Sequence, residues 1–240
     1  MISLSLDGST PQIHDNFRQV PGAFNLAMRN MALARESGFP FRLNTTVTQH
    51  NLSDLANILS LATERGAKEW DVFMLVPTGR GKVQMEITPQ QYEETLQFIY
   101  KASLNSAIPI KMTCAPHYAR AIAEHQKDAC PSTGQSRLQM VGRGCMAGNG
   151  FCFISHVGEV FGCGFMPVAA GNIRQQRFNQ IYRQSPLFVE LRNHQLLKGK
   201  CGVCEYKAIC GGCRARALSI NKDILAEEPY CVYQPQRHSV

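Results

Sequence analysis

The chemistry in this sequence is carried by cysteine. Ten cysteines occur in 240 residues; none precedes Cys114, and seven fall between Cys145 and Cys213. The densest stretch reads Cys201-x2-Cys204-x5-Cys210-x2-Cys213 and is followed by Cys231. Upstream stand Cys145, Cys152 and Cys163, the last of them five residues after Gly158. A Cys-x2-Cys turn brings two thiolates to one metal centre because the intervening residues wrap the backbone around it. Gly202, Gly211 and Gly212 permit tight turns there and expose N–H groups that can hydrogen-bond thiolate or sulfide. The eight cysteines from Cys145 onward suffice for two four-thiolate sites, and iron in iron–sulfur clusters is the reading that this pattern favours.

Structural zinc competes with it, since four thiolates around Zn²⁺ stabilise small glycine-rich folds. Zinc ribbons, however, usually separate two Cys-x2-Cys knuckles by more than the five residues between Cys204 and Cys210. Disulfides need an oxidising compartment, and Met1 to Leu6 is short, lacks a basic start and carries no cleavage signal. A cytoplasmic protein is therefore expected. Cys114 and Cys130, standing singly, read as buried inert thiols. No run of about 18 apolar residues predicts a membrane span. The formal charge of +7 comes from scattered Lys and Arg without aromatic interleaving, so nucleic acid is not the expected partner; an anionic small molecule or an acidic partner suits the charge equally well.

The elements that must position these cysteines divide the chain in two. Ile2–Leu6 alternates as a strand and closes on Asp7-Gly8. Residues 23–36 repeat apolar positions at helical spacing, Phe41–Val47 reads as a strand, and Leu52–Arg65 as a helix with Asn51 or Ser53 near its cap. Trp70–Val76 is a near-continuous apolar run, the pattern of a strand covered on both faces. Pro89–Tyr100 is a helix with Thr88 as N-cap and proline in its first turn, and Pro109–Met112 is one more strand. Alternating β and α elements favour parallel strands joined by right-handed crossovers. About four strands are too few to close an eight-stranded barrel. From about Cys130 glycine and cysteine become dense; helical periodicity survives around Phe178–Leu191, and Phe151–Ser155 can pair with Glu159–Phe161 as a hairpin.

The cysteine pattern resembles the SPASM extension of radical S-adenosylmethionine (radical SAM) enzymes. The resemblance implies two auxiliary [4Fe-4S] clusters. Carried over by position, Cys201, Cys204, Cys210 and Cys231 ligate one of them. Cys145, Cys163 and Cys213 ligate the other, with Cys152 as its fourth candidate. Ser5-Leu6-Asp7-Gly8 with His14-Asp15-x2-Arg18, then residues 43–48 and 72–81, are similar to successive strands and loops of a radical SAM partial barrel. The implied fold is an α/β partial (β/α) barrel lacking its N-terminal strands, at residues 1–125, followed by a small cysteine-rich α+β iron–sulfur domain at 126–240. The phrases LVPTGRG, CAPHYAR, GRGCMAGNGFCFISHVGEV and LAEEPYCVY are similar to the radical SAM enzymes of alternative haem biosynthesis. These decarboxylate iron-coproporphyrin propionates, and relatives act on sirohaem-derived substrates in haem d1 synthesis.

The implied substrate is a tetrapyrrole, and the implied electron donor is a ferredoxin or flavodoxin. The full-length family form reductively cleaves S-adenosylmethionine at a third [4Fe-4S] cluster, held by Cys-x3-Cys-x2-Cys, and uses the resulting 5′-deoxyadenosyl radical. That motif is absent from these 240 residues. A truncated chain or mis-called gene start is the simplest account, a split or degenerate enzyme the alternative, and the chain as given is not expected to cleave S-adenosylmethionine. Two rivals stand beside this reading: a peptide-modifying radical SAM maturase, and a non-enzymatic electron-transfer or scaffold module.

Among single residues, His117 and Tyr118 are catalytic candidates, His117 as an axial ligand to a haem-type iron or a proton donor. Against this stands a satisfied loop histidine. Arg80 and Arg143 are candidates to clamp propionates bidentately, or ordinary solvated arginines. Ser5, Asn44 and Thr46 are candidate S-adenosylmethionine contacts, although polar strand ends often satisfy only backbone. Asp7, His14 and Asp15 position substrate or cap the next helix.

Overall fold

The computed structural model describes residues 1–79, 81, 83–128 and 144–236. Arg80, Cys130 and Arg143 lie outside them, and so do the roles expected of the two arginines. The chain forms two compact units, one of Met1–Leu75 with Lys82–Cys114 and one of Val76–Gly81 with Ala115–Val240. The units part at Cys114/Ala115, and the loop that follows the third strand joins the second unit.

The first unit is a four-stranded parallel sheet, β1 (Ile2–Ser5), β2 (Phe41–Val47), β3 (Trp70–Met74) and β4 (Ile110–Thr113), paired in chain order. Helices α1 (Pro11–Arg18), α2 (Ala23–Glu36), α3 (Leu55–Glu64) and α4 (Pro89–Asn105) connect the strands, as parallel pairing requires. Strand alternation separates two faces. Phe41, Leu43, Val47, Trp70, Val72 and Met74 are buried together with Met31, Ile58, Leu96 and Ile99 from the helices. Each such side chain contributes about 1.5–3 kcal/mol by leaving water. Within this apolar layer the Trp70 indole N–H donates to Thr45 Oγ1 at 2.8 Å, and the Thr45 hydroxyl donates to Leu6 O at 2.6 Å.

The opposite face is mostly polar, with Phe73 its apolar member. Ser5, Asn44, Asp71 and Lys111 stand in register across all four strands. Asp71 accepts from Thr113 Oγ1 at 2.7 Å and pairs with Lys111 at 3.4 Å. The run Trp70–Val76 thus covers an apolar layer with only alternate residues, and Asp71 marks the other side.

Three more elements depart from the expected pattern. Helix α1 occupies the segment read as a loop; Thr10 Oγ1 accepts from Ile13 N, and Pro11 opens the helix. The expected helix from Leu52 begins as a 3₁₀ turn, Leu52–Asp54, before α3. Asn51 does not cap it: its side chain accepts from Thr48 N and donates to Asp7 O and Thr46 O. The periodic stretch after Phe178 is two helices, because Ser185 turns extended (ψ 140°) ahead of a proline and caps the second. Thr88 forms the capping box with Gln91.

In the second unit, helix α5 (Tyr118–Asp128) precedes a three-stranded antiparallel sheet of β5 (Phe153–Ile154), β6 (Glu159–Phe161) and β7 (Ala169–Asn172). The expected hairpin turns at Gly158, whose φ of 89° suits glycine. Four helices follow: α6 (Phe178–Gln184), α7 (Pro186–Arg192), α8 (Gly199–Val203) and α9 (Arg214–Asn221). No helix among the described residues is long and apolar enough to cross a membrane.

Candidate metal centre

The cysteine-dense segment winds tightly. Cys201 sits in the short helix α8, where Gly202 leaves no room for a Cβ against the Leu197 carbonyl. Cys204 ends that helix. Lys207 N then donates to Cys204 O at 3.1 Å and Cys210 N to Tyr206 O at 2.9 Å. Gly211 and Gly212 follow in succession at φ 66° and 64°, a left-handed pair that turns the chain back so that Cys213 begins α9.

The result is a cavity of about 430 Å³, mouth included, walled by Cys201, Cys204, Cys210 and Cys231. None of the nine described cysteines is in a disulfide. N–H groups aim at these sulfurs. Gly212 N donates to Cys210 Sγ at 3.4 Å and Glu228 N to Cys201 Sγ at 3.3 Å; the amides of Tyr206 and Tyr233 serve Cys204 and Cys231. Burial pushes the Cys231 thiol up to about 11 and drives Cys204 and Cys210 upward as well. Neutral thiols are thus favoured until a cation compensates the thiolates. Cationic side chains also line the cavity: Arg120, Lys200 and Lys207. Donor set, N–H groups and positive wall fit a thiolate-ligated iron–sulfur cluster. Among the described residues no three His, Cys, Asp or Glu groups converge tightly enough to hold a single ion.

The other predicted set draws on Cys145, Cys152, Cys163 and Cys213. Cys145 and Cys163 are neighbours: burial pushes Cys163 up to about 11, with Cys145 adding to the rise and the amides of Phe165 and Met166 opposing it. Gly144 and Cys145 donate to the carbonyls of Ile209 and Cys210 at 3.0 and 3.2 Å, which ties this set to the first through backbone. Cys213 is buried at the start of α9, and its N–H donates to Glu228 Oε2 at 2.7 Å. Cys152 is half-buried just before β5, and burial raises its thiol.

His117 is buried (1% exposed) in the wall of the cysteine cavity, within electrostatic reach of Glu228. Tyr118 follows as the first residue of α5. Ser5 is exposed, and it pairs with Asn44 across the sheet. The Asn44 side-chain oxygen is buried without a hydrogen-bond partner, an acceptor available to a hydroxyl-bearing ligand such as a nucleoside. Thr46 is engaged through its N–H, which donates to Asp7 Oδ1 at 2.8 Å. Asp7 also pairs with Arg18 at 2.5 Å; burial raises its carboxyl against the opposing pull of Arg18. Asp15 accepts from Gly22 and Phe24 N–H at 2.7 Å each, so it fastens the start of α2.

The charged residues behind the cavity were not singled out from sequence. Arg214 and Arg216, two apart directly after Cys213, are 3% and 0% exposed. Arg214 donates to the carbonyls of Gly212, Ile224 and Ala226 and reaches Cys201 Sγ at 4.0 Å. Arg216 meets both oxygens of the buried Glu228 at 3.3 Å. The signal was there in a Cys-Arg-x-Arg run, although nothing local distinguishes it from a solvated basic turn.

The SPASM family, an iron–sulfur cluster-binding domain, matches residues 145–214. An AdoMet-dependent heme synthase from Methanosarcina barkeri is 46% identical over 236 residues, covering 98% of this chain and 68% of that protein. The chain belongs to the AdoMet-dependent heme synthase family of radical SAM proteins. A second member, from Nitratidesulfovibrio vulgaris, is 43% identical across 98% of this chain and 65% of its own length, so the chain spans about two-thirds of these relatives. A mycofactocin maturase from Mycobacterium ulcerans is more distant, at 29% over 96% of this chain and 60% of its own length. The crystal structure of Streptococcus suis SuiB bound to precursor peptide SuiA shares the fold, with a TM-score of 0.69 at 17% identity over 96% of this chain and 53% of SuiB.

Proposed function

We propose that this chain contributes to an AdoMet-dependent radical reaction on a tetrapyrrole in haem biosynthesis, the oxidative decarboxylation of iron-coproporphyrin propionates or a related side-chain reaction on a sirohaem derivative. The observation that carries this reading is the 46% identity to a heme synthase across nearly the whole chain, set against 29% for a peptide maturase. In this reading residues 1–125 supply barrel strands, and residues 126–240 carry two clusters. Cys201, Cys204, Cys210 and Cys231 hold one, while Cys145, Cys163, Cys213 and Cys152 hold the other.

Bound clusters supply one-electron transfer, which side chains alone cannot perform. The protein's own contribution is to position and to neutralise. The cavity amides and Arg214 offset thiolate charge. Ser5 and Asn44 offer acceptors on the polar sheet face to S-adenosylmethionine, and Thr46 shapes that strand end. Arg80 and Arg143 are assigned to substrate carboxylates, and His117 and Tyr118 to the neighbourhood of the clusters. A ferredoxin or flavodoxin is the electron donor in this scheme, and the reducing cytoplasm its setting.

Iron, acid-labile sulfide and zinc per chain, measured on anaerobically purified protein, test the first half. About eight iron and eight sulfide are expected for two four-iron clusters; zinc without sulfide overturns it. Iron-coproporphyrin or a sirohaem derivative added to the loaded protein tests the second half, with a Soret shift expected. No shift, together with binding of a precursor peptide, transfers the protein to the maturases.

A further inference from the structure

Glu228 is a carboxylate in an unusual place. It is 1% exposed, and its ion-pair partner Arg216 is fully buried. Such a pair is a weak source of stability, because well-packed apolar residues often serve as well. What distinguishes it is where its groups point. The Glu228 N–H donates to Cys201 Sγ at 3.3 Å, and its Oε2 accepts from Cys213 N at 2.7 Å. Oε1 accepts from the amide of Tyr230, next to Cys231, at 3.3 Å. Arg216 contacts both carboxylate oxygens and so fixes the orientation. A Cβ on Gly212 would stand 2.9 Å from Glu228 Cβ and 3.3 Å from Cys201 Sγ, so only glycine fits at that point between the two residues. Cys201 and Cys213 are assigned to different ligand sets in the function proposed above, and Glu228 touches both.

We infer that Glu228, oriented by Arg216, is a positioning residue shared by two iron–sulfur clusters, so that one buried negative charge sets the reduction potential of both. The inference rests on the cluster reading above. A negative charge fixed in a dry, low-dielectric site opposes the arrival of an electron nearby, and removing it raises the potential of every cluster within its field. Removing Arg216 acts in the opposite sense.

The experiment is a potentiometric titration of the reconstituted protein followed by electron paramagnetic resonance, with iron and sulfide counted in parallel. Wild-type protein without iron and sulfide overturns the cluster reading itself. With two reduction waves in the wild type, E228Q, which keeps shape and an acceptor for Cys213 N, shifts both waves to more positive potential, and R216Q shifts both to more negative potential. A shift in one wave only, or in neither, overturns the inference while leaving the clusters standing. Where either single variant unfolds, judged by circular dichroism, E228Q/R216Q replaces it. This double variant removes the buried ion pair as a unit, and both waves then move positive by less, because the carboxylate that accepts from Cys213 N is lost together with the opposing guanidinium. Unmoved waves in that protein overturn the inference.

Discussion

Gly211 and Gly212 form a matched pair of perturbations at the centre of the site. Both adopt left-handed backbone, φ 66° and 64°, so alanine at either carries the same conformational cost, about 1–2 kcal/mol. They differ in room. A Cβ at 211 meets nothing closer than Lys207 O at 3.6 Å, ordinary contact. At 212 it stands 2.5 Å from an Arg214 guanidinium nitrogen, 2.9 Å from Glu228 Cβ and 3.3 Å from Cys201 Sγ. Arg214 cannot simply swing away, since its other donors hold the carbonyls of Ile224 and Ala226. Overpacking of this kind costs about 1–3 kcal/mol more, so Gly212→Ala is less stable than Gly211→Ala by roughly 5- to 140-fold in the folding constant. Anaerobic urea unfolding followed by circular dichroism measures the difference. Iron retained per chain should stay near the wild-type value in G211A and fall in G212A, where Cys201 is displaced. Equal losses in the two variants would refute the steric argument, leaving backbone strain as the whole effect.

The paired removal of ligands checks the assignment of sets: Cys201→Ala and Cys163→Ala are each expected to lower iron and sulfide by about half, the share of one of two four-iron clusters. Complete loss in either variant, counted by the same assay, refutes two separable sites. Thr45→Val leaves the buried Trp70 indole N–H without its acceptor, and an unpaired buried donor costs about 1–3 kcal/mol; urea unfolding followed by the fluorescence of the single tryptophan reads it directly. His14 supplies a pH effect. Burial lowers its pKa, Arg18 adds to the lowering and Asp15 opposes it, while Nδ1 accepts from Asp7 N at 3.0 Å. The unfolded chain therefore binds the proton first, and the His14 contribution is complete above pH 6.5 and declines as pH falls through that value. His14→Gln, which keeps an acceptor for Asp7 N, should flatten the wild-type loss of stability between pH 7.5 and pH 6. An unchanged slope in urea titrations at those two pH values refutes the assignment.

Much of the first unit was legible because its signals are local. The span 23–36 repeats apolar residues at helical spacing and is α2, and Thr88-Pro89 announced α4 with its capping box. Phe41–Val47 is β2 with alternating burial. Helix α1 escaped because an eight-residue amphipathic turn pattern, without a long apolar stripe, competes poorly with a loop reading. The join at Ser185-Pro186 escaped because periodicity runs through a proline that starts a new helix as readily as it ends an old one.

The sequence by itself determined the chemical type of the site. Thiol spacing and paired glycines are properties of residue order, and a Cys-x2-Cys turn can fold in few ways. Tertiary structure decided which thiols stand together. It joined Cys231 to Cys201, Cys204 and Cys210 across a gap of seventeen residues after Cys213, and it brought Cys145 beside Cys163. It also decided that Arg214, Arg216 and Glu228 are buried behind the cavity. In a sequence each of these is an ordinary surface charge. A burial that depends on helix α9 and the 224–231 segment folding over the same thiols is a property of the packed unit, and no local pattern encodes it.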